Sequence, residues 1–394
     1  MLQEVYIVAA KRTPIGSFSG ALSSLSAIEL GAIAVKAALD QSGIRPDQTE
    51  ELFFGQVLQA GCGQAPATQV AVAAGMGYLI PSTLVNKVCA SGMKAIMMGA
   101  QAIQTGQRDI VVAGGMESMS NVPYYLPKVR QGYRYGNGEL QDGLVTDALT
   151  DAYNHCAMGV CADHTAKERA LSREEQDAYA LESYRRSSAA WQSGAFAEEV
   201  SPVEIVGRKG DRTIVSEDEE FRNLNASKVP ALRPAFGPDG TVTAANASKL
   251  SDGAAAVVLM SGRKLKELGV RPLARITGFA DAAQDPMWFT TAPAKAIPLA
   301  LKNAGIDIRE IGVFEINEAF AAVALANIKE LGLDHSRVNM RGGAVALGHP
   351  LGASGARIVV TLTYLLNQES QSTGLAAICN GGGGASAVVI RKGD

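Results

Sequence analysis

The sequence predicts an α/β fold of two related α/β/α halves packed as layers, with a loop domain inserted between them. Three observations carry this reading. Short apolar runs end at glycines and lead into helices of small residues; the same order of elements occurs twice; and residues 122–249 change texture to Tyr, Pro, Asn and charge. The N-terminal half is expected over residues 1–121 with 250–271, the loop domain over 122–249 and the C-terminal half over 272–394. At 394 residues and 47% hydrophobic, the chain can bury one large core or two to three smaller ones.

In chain order, "EVYIVAA" reads as a buried strand ending at Lys11 to Pro14, and "SAIELGAIAVKAALDQSGI" as an amphipathic helix stopped at Gly43. "ELFFGQVL" and "STLVNKV" are strand-like, and "APATQVAVAAGM" is a helix of small residues. "ASGMKAIMMGAQAIQTGQ" is apolar on almost every face, so that helix belongs at the centre, and "DIVVAGGMES" closes the half as a buried strand. The second half repeats the pattern. "LARITGFA" is a strand, "PAKAIPLALKNAG" a helix ending at Gly305, "IGVFEINEAF" a strand running into a helix, "GARIVVTLTYLLNQ" a helix, and "LAAICNGGGGASAVVI" two strands around a glycine hinge. The inserted segment carries one surface helix, "SREEQDAYALESYRRSSAAWQSG", in which Ser172 and Glu175 form a capping box.

A net charge of −3 gives no support to a general nucleic-acid partner. Five cysteines scattered through so long a chain do not form a disulfide framework and point to reduced thiols in the cytoplasm. The start "MLQEVYIVAAKRTP" has charge and turn residues where a secretory signal would be apolar. No uncharged run reaches the ~18 residues a membrane span needs, so no membrane partner is expected.

Chemistry concentrates at four places. Cys89 precedes the helix of "CASGMKA", where backbone N–H groups and the helix dipole favour a thiolate and small neighbours leave room for an acyl group. His349 lies in "GHPLGASGAR", with Pro350 ending any helix and Gly348, Gly352 and Gly355 opening the loop to a bulky ligand. Its imidazole can take a thiol proton and then donate to a thioester oxygen. Cys379 stands at a strand end before four glycines whose bare N–H groups can nest an anion, and a thiol there can exchange a proton at carbon. Asn317 in "NEAF" follows a strand and can fix a water or an oxyanion. Each has a plainer alternative: Cys89 and Cys379 as small core hydrophobes, His349 as a structural loop residue, Asn317 as a helix cap. His155, Cys156, Cys161 and His164 cluster in sequence, but their spacing does not match a usual zinc pattern. Two thiols, an imidazole and enolate-holding donors are what forming or breaking a carbon–carbon bond between thioesters requires.

Together these segments, with "RTPIGSF", "TAANASKLSDGAAA" and "CNGGGGASA", resemble the thiolase family along essentially the whole chain, most closely its short-chain acetyl-CoA acetyltransferases of the mitochondrial acetoacetyl-CoA type. The resemblance implies that Cys89 is acylated, His349 activates it and Cys379 shuttles the Cα proton. A water on Asn317 with His349 Nε2 would form one oxyanion hole, and the N–H groups of Cys89 and Gly381 the other. It implies no tightly bound cofactor, with acetyl-CoA and coenzyme A as substrates contacted by Met158, Tyr184, Asn223, Leu224, Asn225, Lys228, Ser248, Phe289 and Phe320. It implies potassium on Tyr184 and the carbonyls of Ala244, Ala245, Ala247 and Val345. It also implies a homotetramer built as a dimer of dimers, and the aromatic segment "VPYYLPKVRQGYRYGNGEL" suits a subunit contact. Two positions depart from the family: Ala157 stands where many members have His, and Thr290 follows Phe289 where the mitochondrial type has Pro. The runner-up activity is a 3-ketoacyl-CoA thiolase of broader chain length, serving β-oxidation. The Cys379 segment argues against a ketoacyl synthase, which uses two histidines around one cysteine. The intact reactive residues argue against a non-catalytic acyl-CoA binder.

Overall fold

A computed structural model describes residues 2–207 and 209–393. Nine strands follow one another along a continuous sheet: β1 (Val5–Arg12), β2 (Glu51–Gly55), β3 (Ser82–Val85), β4 (Ile110–Ser118), β5 (Ser251–Ser261), β6 (Ala274–Ala283), β7 (Val313–Ile316), β8 (Thr373–Asn380) and β9 (Gly384–Lys392). The helices that matter to the site are α1 (Ala27–Ser42), α2 (Pro66–Ala73), α3 (Ser91–Gln104), α4 (Met158–Glu168), α5 (Arg173–Gln192), α6 (Pro293–Ala304), α7 (Ala321–Leu331) and α8 (Leu351–Gln368).

The strand order is β7-β8-β9-β6-β1-β5-β4-β2-β3, with Gly16–Ser17 pairing on β5. Each half repeats one scheme. β2 and β4 are parallel, then β5 and β1 follow antiparallel; β7 and β8 are parallel, then β9 and β6 follow antiparallel. β1 and β6 join the halves through a short antiparallel register, Val5 opposite Ile276. Helices α3 and α8 lie against each other between the halves, α1 covers β5 and β1 on one outside, and α6 covers β6 and β9 on the other. The layers therefore run helix, sheet, paired helices, sheet, helix.

Local sequence explains the placement. Ser26 and Glu29 cap α1 reciprocally, with Glu29 N donating to Ser26 Oγ at 3.2 Å and Ser26 N to Glu29 Oε2 at 2.8 Å, while Gly43 ends it at φ 68°. Its buried stripe of Leu30, Ala34, Val35 and Ala38 faces the sheet. α8 is buried from Leu351 through Leu366, as its apolar sequence requires of a central helix. Each Leu or Ile so placed stabilises by about 1.5–3 kcal/mol relative to exposure.

Three expectations need correction. α8 starts at Leu351, so Pro350 begins the helix as its cap and Gly352 and Gly355 lie within it. Those glycines serve close packing: a Cβ on Gly352 would lie 2.5 Å from Met116 O, and one on Gly355 would lie 2.6 Å from Met93 N. α5 is capped by Ser172 and Glu175 and lies at the surface, as its sequence predicts, but the stripe it turns inward is largely polar: Tyr179, Ser183, Tyr184 and Ser187 are buried while Glu175, Ala178, Arg185 and Ala189 are exposed. Its buried polar side chains have a partner: Tyr179 Oη donates to Glu318 Oε1 at 2.9 Å and Ser183 Oγ to Glu318 Oε2 at 2.7 Å. The inserted segment also contains α4, and its aromatic stretch forms a small hairpin, with Tyr124–Tyr125 antiparallel to Gln141–Asp142. Arg12 of "RTPIGSF" is buried and ion-paired with Glu199 at 2.6 Å and Asp218 at 2.7 Å, which fastens β1 to the inserted segment. Among the described residues, no helix is long and apolar enough to cross a membrane.

Candidate active site

Cys89 occupies a turn between β3 and α3, one residue before Ala90 caps the helix. Side chains build that turn. Asn86 Oδ1 accepts from Val88 N at 3.0 Å, and Ser91 Oγ accepts from Lys87 N at 2.8 Å while donating to Val88 O at 2.6 Å. They hold Val88 at φ 48°, a left-handed conformation that costs a β-branched residue energy and persists only where its surroundings impose it. Lys87 Nζ then crosses to the C-terminal half, reaching Asp281 Oδ1 at 2.8 Å, Ser386 Oγ at 2.8 Å and Ala385 O at 3.0 Å.

Burial raises the Cys89 thiol to about 11, against the lowering effect of the Gly381 and Cys89 N–H groups, and the Glu117 charge raises it further. The helix end and its donors are in place, but desolvation outweighs them and the thiol rests neutral.

His349 is buried just before α8. Ser354 Oγ, one turn into α8, is 2.6 Å from Nδ1 and donates to Pro350 O at 2.8 Å, so it accepts a proton from Nδ1. That assigns the Nδ1–H tautomer and leaves Nε2 with a free lone pair, 3.4 Å from Asn317 Nδ2. Burial, with Arg357 adding to it, lowers the imidazole to about 3, so it too rests neutral. Its backbone N–H donates to Lys249 O at 3.0 Å and Ser251 Oγ at 3.2 Å. Asn317 is held by its own N–H on Ala377 O at 3.0 Å, and its Oδ1 is buried without a protein partner.

Cys379 lies at the end of β8 opposite Ala385 on β9. The turn joining the strands passes through Gly382 and Gly383, at φ 80° and 83°, which only glycine adopts without strain. Burial pushes the Cys379 thiol well above its ordinary value, and the charge of a Cys89 thiolate pushes it further. Cys379 packs in one apolar cluster with Phe289, Phe320, Ala319, Ala247 and Met158. The structure thus brings Cys89, Cys379 and Gly381 together, and His349 and Asn317 together across the same strand ends.

Beside them opens a cavity of about 380 Å³, mostly apolar, whose wall includes His349, Met158, Ser248 and Phe320 from the sequence reading. Phe289 lies behind this wall, packed on Cys379. Asn223, Asn225 and Lys228 are exposed and outside the lining, and Leu224 packs toward Tyr184 and Phe221. Tyr184 is buried on α5. Met119, Val145, Leu149 and Phe236 line the cavity without any motif to announce them. Ser354 was findable: a helix beginning at Leu351 places it one turn beyond His349. Glu117, which takes N–H bonds from Val57 and Gly352 at 3.0 and 2.9 Å and which burial raises to about 7, has no sequence signal at all.

Two metal readings meet this geometry. Cys156 Sγ lies 3.9 Å from Cys161 Sγ while the His164 ring stacks edge-on to Trp288, and among the described residues no three His, Cys, Asp or Glu side chains gather as a metal site. The potassium set fares differently. Lys249 Nζ donates to the carbonyls of Ala244 at 2.5 Å and Ala247 at 3.0 Å and lies 5.8 Å from the centre of the Tyr184 ring. A second cation on those oxygens would stand a few ångströms from an ammonium, a repulsion of about 4 kcal/mol at 4 Å for an effective dielectric of 20. The group does not fit while Lys249 is there.

Residues 5–263 match the model of the thiolase N-terminal domain, and residues 270–392 that of the thiolase C-terminal domain. The chain belongs to the thiolase family. This thiolase is 56% identical over 390 residues to an acetyl-CoA acetyltransferase of Schizosaccharomyces pombe, covering 99% of each chain. It is 55% identical over 392 residues to a mitochondrial acetyl-CoA acetyltransferase of Bos taurus, covering 99% of this chain and 92% of that one. The crystal structure of Acat5 thiolase from Ascaris suum in complex with coenzyme A superposes with a TM-score of 0.94 at 51% identity, covering 99% and 100% of the two chains.

Proposed function

We propose that this thiolase is an acetyl-CoA C-acetyltransferase, condensing two acetyl-CoA to acetoacetyl-CoA and coenzyme A, and cleaving acetoacetyl-CoA in reverse. The observation that carries this reading is the pairing of two neutral thiols, Cys89 half-buried and Cys379 buried, with one buried neutral imidazole of fixed tautomer, beside a mostly apolar cavity. Relatives that are 54–56% identical over 99% of this chain are named acetyl-CoA acetyltransferases.

The steps balance with these groups alone. His349 Nε2 takes the Cys89 proton, and the thiolate attacks the acetyl carbonyl, whose oxyanion is held by the N–H groups of Cys89 and Gly381. Coenzyme A leaves as a thiolate and takes a proton from Cys379. The Cys379 thiolate then removes a Cα proton from a second acetyl-CoA, while the His349 Nε2–H and a water on Asn317 hold the enolate oxygen. The enolate carbon attacks acetyl-Cys89; the C–S bond breaks, acetoacetyl-CoA leaves, and Cys89 recovers its proton from His349. Loss of one oxyanion donor would cost about 2.7–4 kcal/mol of barrier.

Ser248, Met158 and Phe320 are read as contacts of the pantetheine arm, with Asn223, Asn225 and Lys228 near the outer, charged end of coenzyme A. Homotetramer assembly through the aromatic hairpin is read from its exposure. A cytoplasmic location is read from five free cysteines, while relatives bear both cytosolic and mitochondrial names; cell fractionation that finds the chain within an organelle would overturn that location.

Chain length is tested by thiolysis kinetics. Acetoacetyl-CoA is expected to exceed 3-ketohexanoyl-CoA and longer substrates by at least ~10-fold in kcat/KM, the discrimination a few methylenes permit in a closed pocket. Equal or greater kcat/KM for the long chains would favour the broader 3-ketoacyl-CoA thiolase.

A further inference from the structure

The segment Ala244–Lys249 forms part of the cavity wall: Ala247, Ser248 and Lys249 all line it. It is also what holds His349 in place, since the Lys249 carbonyl accepts the His349 backbone N–H at 3.0 Å. Its carbonyls at Ala244, which is exposed, and Ala247, which is half-buried, converge on one side chain. The side chain of Lys249 folds back over its own segment, donating to Ala244 O at 2.5 Å and Ala247 O at 3.0 Å. The Tyr184 ring lies on its other side, 5.8 Å away, within reach of a cation–π attraction. Glu220, which accepts from Ser17 Oγ at 2.8 Å, supplies a negative charge that favours the charged ammonium.

We propose that Lys249 is a tethered cation, taking in this chain the place that the resemblance assigns to potassium, and that it organises the Ala244–Ser248 wall so that the enzyme needs no monovalent metal. Two carbonyl oxygens, an aromatic face and a carboxylate form a cation's surroundings, and the ion is already part of the polypeptide. Burial lowers the ammonium only to about 8, so it is predominantly charged at neutral pH. A tethered ammonium gives up only side-chain rotamer freedom, whereas a free ion must be captured from solution. The inference rests on the thiolase reading for its activity assay alone, and the thermal measurement below is independent of it.

The test compares wild type, Lys249→Ala and Lys249→Met in KCl, NaCl and tetramethylammonium chloride at equal ionic strength. Thiolysis kinetics and the thermal midpoint without substrate are both read. Wild type is expected to give the same kcat, KM and Tm in all three salts. Lys249→Ala opens both space and charge at the carbonyls, so it is expected to lose activity several-fold in sodium and to regain both activity and Tm in potassium alone. Lys249→Met fills the space without the charge and is expected to be impaired equally in every salt. A wild type whose Tm rises by several degrees, or whose kcat/KM rises several-fold, in potassium over sodium would overturn the proposal, even if neither variant folds. A Lys249→Ala enzyme equal to wild type in sodium would overturn it as well. Absence of thiolysis by wild type in every salt would count against the catalytic reading instead, leaving the salt dependence of Tm to judge Lys249.

Discussion

At Cys89 burial and hydrogen bonding compete, and burial prevails: the thiol is raised to about 11 although two N–H groups point at it. His349, lowered to about 3, is equally unwilling to be charged alone. Proton transfer between them creates both charges together, each compensating the other, which is how an apolar site can run base chemistry without a resting thiolate. Ser354 decides whether the transfer is possible, because its contact with Nδ1 keeps the lone pair on Nε2, toward the substrate side. Ser354→Ala is expected to lower kcat by about 10- to 100-fold, short of the ~10²–10⁴-fold that a general base supplies, with KM nearly unchanged and Ser354→Thr restoring most of the loss. Steady-state kinetics check this, and an unchanged kcat or a loss confined to KM would contradict the positioning role. The reactive types, Cys89, His349, Cys379 and Asn317, could be read from the sequence because chemistry needs those residues. The charge state of Cys89 could not, because desolvation depends on atoms contributed by distant segments.

Among the elements, the two central helices show why part of the site was legible and part was not. α3 was readable as central from its all-round apolar sequence, and its start fixed the place of Cys89. α8 was read four residues too short, since Pro350 and the glycines of "GHPLGASG" carry the signature of a loop. They serve a helix crossing instead: a Cβ on Gly92 of α3 would stand 2.7 Å from the Gly352 carbonyl of α8. Glycine that looks permissive in sequence is here a demand for contact between backbones, and only the partner helix distinguishes the two. α5 was readable as a capped surface helix, but the contacts of its inward stripe were not: Tyr179 and Ser183 bury themselves on Glu318, a carboxylate that also takes the N–H of Val345 at 3.1 Å and Asn339 Nδ2 at 3.0 Å. The "NEAF" segment holding Asn317 is thereby fixed from outside the catalytic halves.

For the whole molecule, the two sheet halves matter because each contributes one thiol. Cys89 comes from the strand-to-helix turn of the first half and Cys379 from the strand end of the second, and the Lys87 bonds to Asp281 and Ser386 tie those regions together. The repeat of element order was visible in the sequence, whereas the pairing of β1 with β6 that joins the halves was not, since register between distant strands leaves no local trace. The hairpin of the inserted segment leaves Tyr124 59%, Tyr135 102% and Leu140 62% exposed, more apolar surface than a lone chain usually presents together. Sedimentation equilibrium is expected to give the mass of four chains; the mass of one would contradict assembly through this arm.

The central claim is that Cys89 carries the acetyl group and Cys379 moves the Cα proton. Mass spectrometry of Cys379→Ala after exposure to acetyl-CoA tests it most directly, because attack on Cys89 survives while condensation does not. The account predicts one acetyl group on the peptide containing Cys89, absent from Cys89→Ala and discharged by added coenzyme A. An acetyl group found on another residue, or a Cys89→Ala enzyme that still cleaves acetoacetyl-CoA at the wild-type rate, would contradict it.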